Sequence, residues 1–176
     1  MAMCKKSRTV ESASKNYIMD KELFFLKTIL CCSACDGEIA PEEIAALKSI
    51  ATNMDIFKTI DVERELNQMI ESLNKKGAEF LMEYVDSIRG MNLSEEEQLL
   101  VVKLAIDIIE ADNEILYSEV KFFKRIRRNL SISDELILSK FPDKEDYLLP
   151  DIIEPMDKQN WNYNFKLIKL WELLNS

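Results

Sequence analysis

The chain has 176 residues, and 47% of them are hydrophobic, which suffices for the core of one domain with a short appendage. Its formal net charge is −9 and it has no histidine, so phosphate backbones are repelled and nucleic acid is not expected as a partner. Only 3 glycines and 4 prolines are present, and so few turn-forming residues favour an all-α fold over one with many hairpins.

Residues 1–16 are polar and lack the apolar segment of a signal peptide, so we predict a mobile tail on a cytoplasmic protein. The uncharged runs further along the chain are far shorter than the roughly 20 residues that a membrane-spanning helix needs. Any contact with a membrane is therefore expected to be peripheral.

Apolar residues recur at helical spacing through residues 17–140, which predicts one compact bundle of about seven helices. Pro41 suits the first turn of a helix, and Ser94 with Glu97 forms a capping box. Gly90 is expected to end a helix. The predicted helices span about 17–35, 41–53, 60–74, 78–89, 99–110 and 133–140. One further helix is predicted between the last two, and it ends near residue 130.

Residues 141–176 are predicted as a C-terminal extension, because three prolines interrupt regular structure and acidic residues alternate with apolar ones. The stretch Tyr163–Leu174 is amphipathic and predicts a final helix. This helix either folds back on the bundle or docks a partner protein. Its apolar face consists of Leu167, Leu170, Trp171 and Leu174.

Two stretches of the chain are nearly the same and stand 76 residues apart. Asp36-Gly37-Glu38-Ile39 is followed by Glu43, and Asp112-Asn113-Glu114-Ile115 is followed by Glu119. The similarity extends over residues 20–56 and 96–132, which predicts a two-fold repeat of one helix-loop-helix unit. Residues 36–43 are termed the first joint, and residues 112–119 the second joint.

Each joint resembles the second half of an EF-hand calcium loop, with an acidic fifth position, glycine sixth, an aliphatic eighth and glutamate twelfth. These positions hold Asp36, Gly37, Ile39 and Glu43 in the first joint, and Asp112, Asn113, Ile115 and Glu119 in the second. The first half of the loop is missing, because positions one and three hold Cys32 and Ala34, or Ile108 and Glu110. Neither joint alone supplies the roughly 6–8 oxygens that calcium takes.

The stretches Cys35-Asp36-Gly37-Glu38-Ile39-Ala40-Pro41-Glu42-Glu43 and Ala111-Asp112-Asn113-Glu114-Ile115 resemble the motif of the tellurite-resistance TerB family. The resemblance covers about residues 17–140. It implies an all-helical fold, acidic residues clustered from both repeats, and divalent-metal binding in a stress response. Asn113 departs from the Asp-Gly pair, although asparagine also tolerates a left-handed backbone.

If pseudo-symmetry brings the joints together, four carboxylates form one site for Ca²⁺, Mg²⁺ or Mn²⁺, with waters completing the shell. These four residues are Asp36, Glu43, Asp112 and Glu119. Crowded carboxylates repel one another, and a hard cation relieves that repulsion. The alternative is structural, with the aspartates forming turns and the glutamates interacting with helix N-termini. Glu38 and Glu114 are weaker candidates, because the equivalent EF-hand position binds through its backbone carbonyl.

Cys31, Cys32 and Cys35 include a Cys-x-x-Cys spacing, which occurs in redox and zinc sites. Zinc usually takes four ligands, and without histidine only the distant Cys4 could add a thiol. The predicted position at a helix C-terminus also raises thiol pKa values. We interpret the three residues as buried small hydrophobes, with a metalloid-reactive thiol group as the alternative.

Four cations, Lys121, Lys124, Arg125 and Arg128, form a basic stripe at helical spacing. Such stripes usually are solvated or pair with acidic neighbours. The alternative is a docking surface for an acidic partner or anionic lipid, together with Lys5-Lys6-Ser7-Arg8.

The sequence has no nucleophile–base pair and no phosphate-binding glycine loop, so we predict no catalytic activity. The leading hypothesis is a cytoplasmic, divalent-metal-binding module that acts with a protein partner in a stress-response complex. The competing hypothesis is a metal-independent adaptor, whose bundle and C-terminal segment with Trp161 and Trp171 bind the partner.

Overall fold

The computed structural model of the chain describes residues 21–39, 41–111 and 114–150, and in these ranges it has seven α-helices and no β-strand. They are α1 (residues 21–33), α2 (Pro41–Asn53), α3 (Val62–Lys76), α4 (Ala78–Ser87), α5 (Glu95–Ile109), α6 (Tyr117–Arg128) and α7 (Asp134–Lys140). The predicted all-α class is confirmed. No helix in these ranges has the length and apolar character that crossing a membrane requires. The predicted tail over 1–16 and final helix over 163–174 lie outside the described residues.

Helices α1 and α5, the first helix of each predicted repeat unit, are buried on nearly every side. From residue 24 to residue 35 every side chain except Lys27 is buried, and over residues 101–109 only Lys103 and Asp107 are not fully buried. Lys27 and Lys103 occupy equivalent positions of the predicted repeat. A helix with buried apolar side chains on most of its sides needs other elements packed around it, so these two helices form the centre of the core.

The capping box predicted at Ser94 is confirmed. The Ser94 hydroxyl accepts a hydrogen bond from the backbone N–H of Glu97 at 3.2 Å, and the Glu97 carboxylate accepts one from the Ser94 backbone at 2.7 Å. For this reason α5 begins at Glu95, ahead of the predicted residue 99. Glu97 also pairs with Lys21 at 2.6 Å, and these two residues stand 76 positions apart, the offset of the predicted repeat.

The end of α4 differs from the prediction. This helix ends at Ser87 rather than at the predicted residue 89, and a 3₁₀ turn, Ile88–Met91, follows it. Asn92 then adopts a φ of 53° and closes the turn, because asparagine tolerates the left-handed backbone conformation.

The chain stays packed on the bundle beyond the predicted domain boundary at residue 141. Tyr147 is buried in a 3₁₀ turn, Glu145–Tyr147, and its ring lies edge-on to that of Phe123 with centroids 5.3 Å apart. Leu148 packs partly buried against the same core. The hydrophobic core therefore includes the first part of the predicted extension.

Gln98 is a buried polar residue that ties the start of α5 to the loop between α6 and α7. Its Nε2 donates to the Leu93 carbonyl at 3.1 Å and to the Ser131 hydroxyl at 3.0 Å. Its Oε1 accepts from the backbone N–H groups of Ser131 at 2.7 Å and Ile132 at 3.2 Å. The side-chain amide of one residue thus provides hydrogen bonds to the backbone N–H groups of this loop inside the bundle.

We expect Gln98→Met to lower the free energy of unfolding by about 2–4 kcal/mol, because it leaves the backbone N–H groups of Ser131 and Ile132 without this acceptor. Chemical denaturation of the full chain measures this loss. Gln68→Met is the matched control, since Gln68 is exposed on α3 and its replacement is expected to cost less than about 0.5 kcal/mol. Equal effects of the two variants would contradict a structural role for the Gln98 amide.

Candidate functional site

The first joint is a tight turn built around Asp36. The Asp36 Oδ1 accepts a hydrogen bond from the backbone N–H of Glu38 at 3.0 Å, and Gly37 has a φ of 97°. The Gly37 N–H donates back to the Ala34 carbonyl at 3.1 Å, so α1 ends at residue 33 rather than at the predicted residue 35. The predicted turn-forming role of Asp36 is confirmed.

The second joint leads into α6 through Glu119. The Glu119 side chain is buried, with 7% exposure, and its Oε2 accepts a hydrogen bond from the backbone N–H of Leu116 at 2.7 Å. This contact satisfies a donor that the helix cannot pair, and the predicted role of Glu119 at a helix N-terminus is confirmed. Asp112 and Asn113 lie outside the described residues.

Carboxylates of both joints influence the buried thiol of Cys35. Burial raises the pKa of Cys35 well above its ordinary value, and the nearby Cys32 raises it further. The pKa is also raised by the charges of Glu119 from the second joint and of Asp36 and Glu43 from the first. Three of the four predicted ligand carboxylates therefore act on one thiol, which is 4% exposed.

Glu110 forms a second acidic group, with Tyr147 and Lys144 as its partners, and the charge of Glu119 acts on this group. The hydroxyl of Tyr147 donates to Glu110 Oε1 at 3.0 Å, and Lys144 Nζ pairs with the same carboxylate at 2.7 Å. Burial raises the pKa of Tyr147, and its hydrogen bond to Glu110 and the charge of Glu119 raise it further. Sequence reasoning did not find this group, because Tyr147 falls in the predicted extension.

The described residues do not by themselves form a metal centre. Within residues 21–39, 41–111 and 114–150, no group of three or more cysteine, aspartate or glutamate side chains has the arrangement that could hold a metal ion. Asp36, Glu43 and Glu119 lie within these ranges and do not form such a group, while the fourth predicted ligand, Asp112, lies outside them. The four-carboxylate site therefore stays a prediction.

Cys31, Cys32 and Cys35 are buried free thiols. Burial is the largest cause of a raised pKa at each of them, and their mutual proximity adds to it. Protonated thiols are weak nucleophiles and weak metal ligands, so the interpretation as buried small hydrophobes is confirmed. Cys4 lies outside the described residues.

The basic stripe on α6 makes contacts with its own surroundings. Lys121 Nζ lies 4.7 Å from the ring centroid of Tyr117, and Lys124, Arg125 and Arg128 each have an interaction partner. These contacts favour the structural interpretation of the stripe over a docking surface.

These features define an all-helical protein with an acidic joint between α1 and α2 and another between α5 and α6. The family model described as tellurite resistance protein TerB matches residues 28–138, more than half of the chain. The chain therefore belongs to the TerB family, and membership associates it with tellurite resistance. Comparison with curated proteins and with solved structures finds no significant match.

We expect the protein to lose stability above about pH 8.5, because the unfolded chain then ionises thiols that the fold keeps protonated. Raised folded pKa values mean that the unfolded state binds fewer protons, so stability falls as pH rises. Each thiol contributes a slope of about 1.4 kcal/mol per pH unit. Urea unfolding over a pH series measures the slope.

Single Cys31→Ala, Cys32→Ala and Cys35→Ala variants provide the comparison for this slope. Each variant is expected to remove one thiol's contribution to the slope and to leave the contributions of the other two thiols in place. If the alkaline slope is the same in all three variants and in the parent chain, the claim that the fold keeps these thiols protonated is wrong.

Proposed function

We propose that the protein is a non-catalytic module that binds a divalent cation between its two joints and acts in a tellurite-resistance-type stress response with a protein partner. The proposed ligands are Asp36, Glu43, Asp112 and Glu119, and the proposed cations are Ca²⁺, Mg²⁺ and Mn²⁺. The observation that carries the proposal is that carboxylates of both joints, Asp36 and Glu43 of the first and Glu119 of the second, raise the pKa of the buried Cys35 thiol.

Electrostatics supports a cation at this place. Glu119 is buried, so water screens its charge little, and the charges of Asp36 and Glu43 act on the same Cys35 thiol. Burial keeps Cys35 protonated, so the available donors are oxygens rather than thiolates. Oxygen donors suit hard cations such as Ca²⁺, Mg²⁺ and Mn²⁺, whereas thiolates would favour zinc.

A non-catalytic role agrees with how the described groups are engaged. Asp36 holds a turn, Glu119 holds a helix N-terminus, and the buried thiols are protonated. No activated nucleophile is therefore present among these groups. The net charge of −9 also opposes direct binding of an oxyanion, so the role in resistance is proposed to be indirect.

Thermal unfolding of the chelator-stripped full chain, with Ca²⁺, Mg²⁺ and Mn²⁺ titrated separately, tests the proposal. A cation at a hundred times its Kd stabilises the folded state by about 2.7 kcal/mol, which raises Tm by roughly 5–10 °C for a chain of this size. The Asp36→Asn, Asp112→Asn double variant is expected to abolish this rise. Asparagine keeps an oxygen that can accept the Glu38 N–H, so the variant removes charge without removing the turn.

The matched control is the Glu38→Gln, Glu114→Gln double variant. It removes the same amount of charge from the same joints at positions that are not expected to coordinate through their side chains. A rise in Tm that persists in the control and disappears in the aspartate variant supports the cation site. If no ion shifts Tm, the cation site is wrong and the metal-independent adaptor becomes the favoured function.

A further inference from the structure

A pocket of about 200 Å³ lies where the turn after α4, the start of α5 and the loop between α6 and α7 meet. Its lining, which consists of described residues, combines apolar and polar side chains with one charged group and includes no carboxylate. The charged group is the guanidinium of Arg89, and we term the site the Arg89 pocket. Its apolar wall consists of Ile88, Leu93 and Leu130.

The inner wall of the Arg89 pocket is fixed before any ligand arrives. Gln98 is buried, and its side-chain amide bonds to the backbone of Leu93 on one side and of Ser131 on the other. Ile88 and Leu130 are buried in the same core. Because these contacts hold the wall in place, a ligand needs no rearrangement of the pocket, and less entropy is lost on binding.

The fold uses little of the hydrogen-bonding capacity of Arg89. Its Nη2 donates to the Arg128 carbonyl at 3.5 Å, a long hydrogen bond, and no carboxylate in the described part of the chain pairs with it. Arg64 and Arg127, by contrast, pair with carboxylates at 2.6 and 2.7 Å. The other N–H groups of the Arg89 guanidinium can therefore bind an acceptor from outside. A carboxylate matches the planar guanidinium with two parallel hydrogen bonds.

Asn92 adds a side-chain amide to the same pocket. This amide makes no hydrogen bond with the residues that the structure describes, so its donor and its acceptor are both available. A peptide group offers the complementary acceptor and donor. The pocket thus presents partners for a carboxylate, for a peptide group and, at its apolar wall, for an aliphatic side chain. Those are the three parts of the C-terminal residue of a polypeptide.

The size of the pocket favours the end of a peptide over a whole small molecule. Sites for drug-sized ligands usually occupy about 300–1,000 Å³. The Arg89 pocket, at about 200 Å³, suits one side chain with its carboxylate. A free acid of that size has few atoms, and each atom contributes only a limited free energy of binding. A peptide continues beyond the pocket and gains further contacts on the surface.

The charge of the whole chain does not exclude a carboxylate here. The net charge of −9 repels anions at long range, but at physiological ionic strength charges more than about 8 Å apart are largely screened. Arg89, inside the lining, therefore acts most strongly on a bound carboxylate. An inorganic oxyanion has no apolar part and gains nothing from the apolar wall, so the pocket favours an aliphatic carboxylate over an oxyanion.

We propose that the Arg89 pocket binds the C-terminal residue of a protein partner, with the carboxylate on Arg89, the peptide group at Asn92 and an aliphatic side chain on the apolar wall. The proposal rests on the proposed function only in requiring a protein partner. It does not depend on the cation, because no residue of either joint lines the pocket.

NMR titration of the isotope-labelled full chain in buffer with chelator tests the proposal. The probe is the peptide Gly-Ser-Gly-Ser-Leu with a free C-terminal carboxylate, and the comparison is the same peptide with a C-terminal carboxamide. We expect the carboxylate form to shift the resonances of Arg89, Asn92 and Ser131 and to bind roughly tenfold more tightly, because its hydrogen bonds to Arg89 are charge-assisted. Arg89→Gln keeps a donor but loses the charge, so it is expected to abolish this preference.

Arg64→Gln is the matched control, since Arg64 is an exposed arginine on α3 that does not line the pocket. This variant is expected to keep the preference, and circular dichroism shows whether both variants are folded. Equal binding of the two peptides, no binding at millimolar peptide, or a preference that a folded Arg89→Gln chain retains would overturn the proposal. The comparison of the two peptides requires no variant.

Two further ligands separate the C-terminal residue from other carboxylates. A peptide with an internal glutamate and an amidated end is expected to bind more weakly than the probe, and so is free isocaproate, which has the leucine side chain and a carboxylate but no peptide group. If the internal glutamate binds as tightly, the pocket accepts acidic side chains and the proposal is wrong. If isocaproate binds as tightly, the ligand is a small acid and the proposal is equally wrong. Neither result changes the cation-dependent rise in Tm, so this proposal and the cation site can fail separately.

Discussion

The extensive burial of α1 and of residues 101–109 in α5 is the constraint on which the rest of the structure depends. Two helices with apolar side chains on most of their sides cannot lie exposed at a surface, so the other helices must pack around them. Even the polar atoms of α1 are satisfied internally, since Thr28 donates to the Phe24 carbonyl at 3.0 Å and accepts from the Tyr84 hydroxyl at 2.9 Å. Each acidic joint begins where one of these buried helices ends.

That arrangement explains the environment of the cysteines. Cys31, Cys32 and Cys35 continue the buried surface of α1 up to the first joint, so they are protonated and surrounded by core. Carboxylates of both joints raise the pKa of Cys35 further. Burial therefore keeps the thiols protonated, and negatively charged carboxylates act on the last of them, Cys35. The proposed cation would balance that charge.

Local signals predicted much of the helical structure. Pro41 is the first residue of α2, and hydrogen bonds within one turn at Ser94 and Ser133 set the starts of α5 and α7. The end of α4 was harder to predict. Asn92 ends the turn after α4, although Gly90 is the residue with the greater intrinsic freedom.

The candidate site was predictable in its residue types but not in its arrangement. The duplicated motif pointed to Asp36 and Glu119, and their capping roles follow from local spacing. Their common action on Cys35 depends on how the two units pack, which residue spacing does not specify. Tyr147 reaches Glu110 from a segment that contains no repeat motif, so only tertiary structure places it there.

A double-mutant cycle between Asp36→Asn and Glu119→Gln, measured by urea unfolding of the metal-free chain at low salt, tests the adjacency of the joints most directly. Both variants keep a hydrogen-bond acceptor and lose one charge, so the cycle isolates the repulsion between the carboxylates. We predict a coupling free energy of about 0.5 kcal/mol or more, with the second neutralisation gaining less than the first. Effects that add to within about 0.3 kcal/mol would contradict a shared site at the two joints.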